Sequence, residues 1–182
     1  EPDAPRPRAE DDALGGHDPY SASKAAAEIV AASYRKSFHL PLATARAGNV
    51  VGGGDWAADR LVPDCARAFA AGRKAPVRNP GSVRPWQHVL EPLSGYLALG
   101  ARLLEGAQGA HEAWNFGPTE DAVTVGDVAS FAAAAWGDGA AWHAEPTDDP
   151  HEAAALRLDS ARAKALLGWT PAWDARRAVT AA

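Results

Sequence analysis

The 182-residue sequence contains no methionine, a single cysteine and no block of basic residues, and each absence closes off a class of protein. One thiol, Cys65, makes neither an internal disulfide nor a zinc ribbon, and it fits a reducing, cytoplasmic compartment. No apolar run reaches the ~18 residues that a membrane span needs, and no charged segment leads into an apolar one as in a secretory leader. A net charge of -5 without a basic patch argues against a nucleic-acid surface and leaves room only for a local cationic pocket around a phosphate group. The six histidines have no ligand spacing, so no metal site is expected. Internal repeats and heptads are absent too. A chain that starts at Glu1 and has no methionine reads as a fragment.

What is present is enough for one sizeable core: 47% of the residues are hydrophobic and 23% charged. Residues 1–17 hold three prolines, a Gly-Gly pair and mixed charge, and read as a mobile lead-in. Asp18 then caps a helix with Pro19 at its first position, and the alanine-rich stretch to Phe38 carries it on. Leu42–Ala45 suits a short buried strand, and Gly52–Gly54 forces a turn. A helix from Leu61 ends at Gly72, and another opens at Glu91-Pro92 with Leu93, Tyr96, Leu97, Gly100 and Leu104 facing inward. Between them, prolines at 76, 80 and 85 forbid a helix, leaving two short edge strands around an Asn79-Pro80-Gly81 turn. Trp114–Gly117 reads as a strand. Thr124 and Asp127 form a capping box for a helix to Trp136, and a last helix spans Ala161–Leu167.

Tyr20 and Lys24 lie at i and i+4 of the first helix and so share one face. A fixed cation beside a phenol favours the phenolate and makes tyrosine usable as a base near neutral pH. Any alanine-rich helix can also carry such a pair as an ordinary solvated face. Arg84, on a proline-framed loop, offers a guanidinium fork that matches diphosphate oxygens, or else pairs with a surface carboxylate. Asn49 and Asn115 could donate an amide to a sugar or diphosphate, and asparagine is equally a turn former. The seven tryptophans read as core or lid packing, with room for one to stack on a base.

The segment PYSASK resembles the catalytic helix of extended short-chain dehydrogenases, and ATARAGNVVGGGDW resembles the strand and loop that follow it there. RNPGSVRPWQHVLEPLSGYL is similar to the CDP-glucose 4,6-dehydratases in particular, with DWAADRLVPD before it and AWNFGP, DPHEA and LGWTPAW after it. The resemblance covers about Gly16–Trp173. It implies an α/β chain: a partial Rossmann-like fold with a C-terminal α+β substrate-binding portion. Residues 18–55 would be a remnant of the dinucleotide-binding domain, and residues 56–182 mainly the nucleotide-sugar portion with Rossmann elements interleaved.

The activity so implied is NAD-dependent 4,6-dehydration of CDP-glucose to a 4-keto-6-deoxy sugar, with NAD reduced and then reoxidised on the same sugar. Tyr20 would take the C4 hydroxyl proton, Lys24 would hold the cofactor ribose, and Gly48 would lie against the nicotinamide. The resemblance assigns Arg84 to the diphosphate, Arg60 near the nucleotide and Arg78 at the base edge. It puts Asn49, Asn115 and His151 among the substrate contacts, although a lone histidine in a proline-containing loop is also what a solvated loop contains. A CDP-sugar is the implied partner, and a homodimer through the helix that carries Tyr20.

Two features depart from the family. No glycine-rich turn between a first strand and helix is present to hold a dinucleotide pyrophosphate, and the residues for the elimination step are missing ahead of Tyr20. The chain also stops soon after LGWTPAW, short of a further helix. The fragment alone is therefore expected to be inactive. The competing expectations are a nucleotide-sugar epimerase, which shares Tyr-x-x-x-Lys, and a non-catalytic remnant that binds a nucleotide sugar.

Overall fold

The computed structural model describes residues 6–16, 18–119, 123–146 and 154–182. Twelve elements follow one another: α1 (Pro19–Phe38), β1 (Thr44–Ala47), β2 (Asn49–Val51), α2 (Leu61–Ala70), β3 (Ala75–Arg78), β4 (Trp86–His88), α3 (Leu90–Leu104), β5 (Ala113–Phe116), α4 (Val125–Trp136), β6 (Trp142–Glu145), α5 (Ala161–Leu167) and α6 (Ala175–Thr180). The strands form three parallel pairs, β1 with β5, β2 with β4 and β3 with β6, joined through helices as in α/β folds.

Local signals set the helix ends. The Asp18 carboxylate accepts from the Ser21 amide at 2.9 Å and its hydroxyl at 2.6 Å, which starts α1, and His39 ends it in the left-handed region at φ 53°. The capping box of α4 is complete: the Thr124 amide donates to Asp127 Oδ2 at 2.9 Å, and the Asp127 amide donates to Thr124 Oγ1 at 3.0 Å. A short helix, α6, follows the LGWTPAW segment, and Asp174 caps it by accepting from the Arg177 amide at 2.7 Å.

The two strands flanking the Asn79-Pro80-Gly81 turn do not pair with each other; β3 pairs with β6 and β4 with β2. On α3 the expected face is split: Tyr96 packs against Phe116, ring centroids 5.4 Å apart, whereas Leu93, Leu97 and Leu104 are exposed. Leu97 is 78% exposed and Leu104 92% exposed, while Glu91, Pro92, Gly95 and Leu99 are buried. The reason is close approach: a Cβ on Gly95 would collide with the Phe116 ring, so α3 meets β5 through its smallest residue.

Two clusters make the core. The larger joins Val51, Cys65, Phe69, Val77, Trp86, Val128 and Val179 from α2, α4, α6 and the strands between them. The smaller joins Leu99, Trp114, Phe116, Ala163 and Trp169, where the Phe116 and Trp169 rings meet edge to face at 5.1 Å. Helix α1 belongs to neither and has no buried residue. Polar ties hold it: Glu28 accepts from Thr44 Oγ1 at 2.7 Å and from Arg46 Nε at 2.8 Å.

Part of the expected mobile lead-in lies against the rest of the chain. Arg8 bridges to Leu158, its amide donating to the Arg157 carbonyl at 3.0 Å while the Asp159 amide donates back to the Arg8 carbonyl at 2.9 Å. Among the described residues no helix is long and apolar enough to cross a membrane, and no group of histidine, cysteine and carboxylates is placed to hold a metal.

Candidate active site

A cavity of about 730 Å³ opens between β2, α2, β3, α4 and α6. It lies against the larger core cluster, whose Val51, Phe69, Trp86 and Val179 are among its walls together with polar residues from loops and element ends. Its cationic groups are Arg60, Arg78 and Arg84, and Asn49 at the start of β2 is among its walls. Asp18, two residues before Tyr20, also reaches the lining, which sets the start of α1 at the cavity's edge. The Ser21 hydroxyl and amide hold the Asp18 carboxyl below its usual range.

The arginines differ in setting. Arg84 is buried and donates to the Val83 carbonyl at 2.8 Å, and its backbone amide donates to the Val123 carbonyl, so it lines the cavity from a fixed main chain. Arg60 occupies the N-cap position of α2 and is exposed. Arg78 ends β3, and its Nη2 lies 3.4 Å from Asp59 Oδ1. Two exposed tryptophans, Trp56 and Trp136, stand among the lining residues and offer ring faces.

Tyr20 sits in the first turn of α1, 69% exposed, with Lys24 Nζ 5.5 Å from its ring centroid. The helical spacing therefore brings ammonium and phenol ring together as the sequence suggests. Neither is among the cavity's lining residues; along α1 they lie two and six residues beyond Asp18, which is.

Gly48 links β1 to β2, and the structure gives its own reason for a glycine there. A Cβ would collide with the carbonyl and ring of Pro85, whose carbonyl accepts the Asn49 amide at 2.9 Å. Asn115 is not in the lining. Its Nδ2 donates to the carbonyls of Arg8 at 2.9 Å and Asp159 at 3.1 Å, and its backbone amide donates to Glu10 Oε1, so it ties the 8–10 and 157–159 segments to β5. The amide that read as a sugar contact serves the fold. His151 lies outside the described residues. Cys65 faces the core, where burial pushes its thiol up to about 11 and keeps it protonated.

Two groups that sequence reasoning missed belong to this region. Asp59 lines the cavity next to Arg78, in a turn with φ 60° that no residue pattern marks. Glu91, buried at the start of α3, accepts the amides of Ala172 and Trp173 at 3.0 Å through its two oxygens. That pair fixes the approach to α6, whose Val179 and Thr180 wall the cavity.

Known proteins resemble this chain in sequence and in fold. CDP-glucose 4,6-dehydratase of Salmonella typhimurium is 49% identical over 174 residues, covering 90% of this chain and 48% of that protein. The glycan biosynthesis protein Agl12 of Haloferax volcanii is 31% identical over 91% of the chain and 51% of its own length, so the chain spans about half of each of these relatives. Among solved structures, a dTDP-glucose 4,6-dehydratase from Bacillus anthracis in complex with NAD superposes with a TM-score of 0.77 at 23% identity, over 96% of this chain and 54% of that one. A UDP-glucuronic acid 4-epimerase from Bacillus cereus gives 0.82 at 18% identity, over 98% and 55%. These structural likenesses establish the Rossmann-like α/β fold. A family model described as GDP-mannose 4,6 dehydratase matches residues 3–181, and the chain belongs to that family.

Proposed function

We propose that this chain carries the nucleotide-sugar side of a 4,6-dehydratase acting on CDP-glucose. The observation that carries the reading is one cavity lined by three arginines and two asparagines beside the helix that bears Tyr20 and Lys24. Guanidinium groups at a partly dry wall suit a diphosphate, whose oxygens accept paired hydrogen bonds from the fork. Arg84 is the diphosphate clamp, because its burial raises the strength of each such bond. Arg60 supports it from the rim, and Asn49 offers amide hydrogens to the sugar or diphosphate. The 49% identity to a protein named CDP-glucose 4,6-dehydratase favours cytidine as the nucleoside. Likeness to epimerases is one of fold and favours neither reaction.

NAD fits these residues in part. The exposed Lys24 ammonium and Tyr20 hydroxyl are donors on one helix face and suit ribose hydroxyls, whereas the glycine-rich turn that holds a pyrophosphate is not among these residues. When bound, NAD supplies the hydride acceptor and donor. Tyr20 takes the proton of the sugar C4 hydroxyl, with the Lys24 ammonium on the same helix face. Residues 18–55 act on the cofactor side and residues 56–182 mainly on the substrate side.

Calorimetric titration of the chain with CDP and CDP-glucose tests the reading. Saturable binding of both is expected. Absence of heat with either, in a chain that melts cooperatively, would refute it.

A further inference from the structure

The Asp59–Arg78 pair stands at the cavity wall with no evident duty in the fold. The two side chains are 84% and 56% exposed, and an ion pair in that setting contributes little stability. Among the described residues, the Asp59 carboxylate meets no partner other than Arg78. Both groups line the cavity, and they reach it from separate elements: Asp59 from the turn before α2, Arg78 from the end of β3. The turns on either side are tightly set, with Asp59 at φ 60° and Asn79 at φ 46°, both in the left-handed region that asparagine and aspartate tolerate best among side-chain-bearing residues.

A carboxylate beside a guanidinium presents an acceptor followed by two donors. The outward edge of cytosine is the complement of that pattern: the N4 amino group donates, and N3 and O2 accept. Uracil reverses the first two positions, with O4 accepting and N3–H donating, so the carboxylate would face an acceptor and the guanidinium a donor. Adenine matches at N6 and N1 but has no third acceptor.

We propose that Asp59 and Arg78 together read the base of the bound nucleotide and select cytosine over uracil. Asp59 accepts from N4, and Arg78 donates to N3 and O2. Arg60 and Arg84 are left to the diphosphate. The inference rests on the nucleotide-diphosphate reading of the cavity, and it adds a selecting pair, of which Asp59 is a member no charge pattern points to.

The test titrates CDP, UDP and ADP into the 182-residue chain, into Asp59→Asn and into Arg78→Lys, with thermal melts to show that all three proteins are folded. Wild type is expected to prefer CDP over UDP by about tenfold or more, the scale of one mismatched polar contact, with ADP between them. Asp59→Asn should bring CDP and UDP within about threefold, because an amide can turn either its oxygen or its NH₂ toward the base. Arg78→Lys keeps the charge and loses the planar fork, so it too should collapse the ratio.

If both variants weaken CDP and UDP by the same factor, Arg78 serves phosphate and Asp59 is only its surface partner. That result, or equal affinity of wild type for CDP and UDP, overturns the proposal and leaves the cavity a nucleotide site. If wild type binds none of the three nucleotides, the nucleotide reading itself is wrong and the base-reading pair falls with it.

Discussion

Glu91 is a buried carboxylate whose two oxygens each accept a main-chain amide at 3.0 Å, from Ala172 and from Trp173. Its own carbonyl accepts Trp169 Nε1 at 3.2 Å, so one residue at the start of α3 fastens the whole 169–173 segment. Glu91→Ala removes both carboxylate bonds and strands two donors in a place only 7% exposed. Hydrogen bonds to a charged group contribute about 1.5–3 kcal/mol each, and partial relaxation toward water returns some of that, so a net loss of about 3 kcal/mol is expected. Placing a negative charge in the first turn of α3 adds a few tenths that are lost as well. For a chain of this size, Tm should fall by about 6–12 °C. Glu91→Gln preserves volume and one acceptor but turns an NH₂ group toward an amide N–H, so it should lie between wild type and Glu91→Ala. Because the segment leads into α6, whose Val179 and Thr180 wall the cavity, CDP affinity should fall together with stability. Differential scanning calorimetry and CDP titration measure both. A Tm change below about 2 °C for Glu91→Ala would mean that water satisfies these amides equally well, and the anchoring role would be refuted.

Arg84→Ala should weaken CDP binding by roughly 1.5–3 kcal/mol, about 10- to 150-fold, and Arg84→Lys should recover only part of it; equal calorimetric affinities in all three proteins would take Arg84 out of the diphosphate site. In the enzyme completed by a dinucleotide-binding half, Tyr20→Phe should lower kcat by about 10²–10⁴-fold with little change in KM for CDP-glucose, whereas the 182-residue chain alone, lacking the glycine-rich turn, should show no turnover with added NAD. The Arg46 guanidinium, aided by the Thr44 hydroxyl, holds the Glu28 carboxyl below its usual range against the opposing effect of burial. Its contribution to stability is therefore complete above the unfolded value near ~4.3 and is lost as pH falls through the lower folded value. Urea midpoints followed from neutral pH into that acid window should drop more steeply for wild type than for Glu28→Gln, and parallel curves would show that the pair contributes nothing measurable.

The parts of this fold that were legible in sequence are those governed by neighbours along the chain. Asp18-Pro19 starts α1, Thr124 with Asp127 starts α4, and Gly168 ends α5, each by a capping interaction within a few residues. Strands β2 and β6 escaped because three or four residues carry too little pattern, and β6 is defined by pairing with β3 far back in the chain. The leucines of α3 misled for a related reason. Apolarity marks a face that could be buried, but Gly95 against Phe116 decides which face is, and that match is visible only when both elements are present. In the site, arginine is recognisable by type, so Arg60, Arg78 and Arg84 could be picked out and the cavity gathers them. Asn115 could not be separated from a structural amide, and Asp59 depends on a turn conformation that its neighbours do not announce.

The same contrast bears on how the site works. Helix α1 was the plainest element to read because its cap and alanines favour a helix without tertiary help, yet it is the helix with no buried residue. What sets its position is polar: Glu28 to Thr44 and Arg46, with Arg46 Nη1 also donating to the Glu10 carbonyl at 3.2 Å. The cavity, in contrast, is walled by α2, α4 and α6, which pack through Cys65, Phe69, Val128 and Val179 in the larger core. Tyr20 and Lys24 thus stand on an element fixed by a few directional bonds, and the arginines on elements fixed by close packing. Perturbing the Glu28–Arg46 pair should move the Tyr20 phenol relative to an otherwise intact cavity, whereas perturbing the core under α2 or α6 should deform the cavity and leave the helix of Tyr20 in place. Under the proposed function, affinity for the nucleotide and positioning of the proton acceptor would therefore be separable, held by different physical forces.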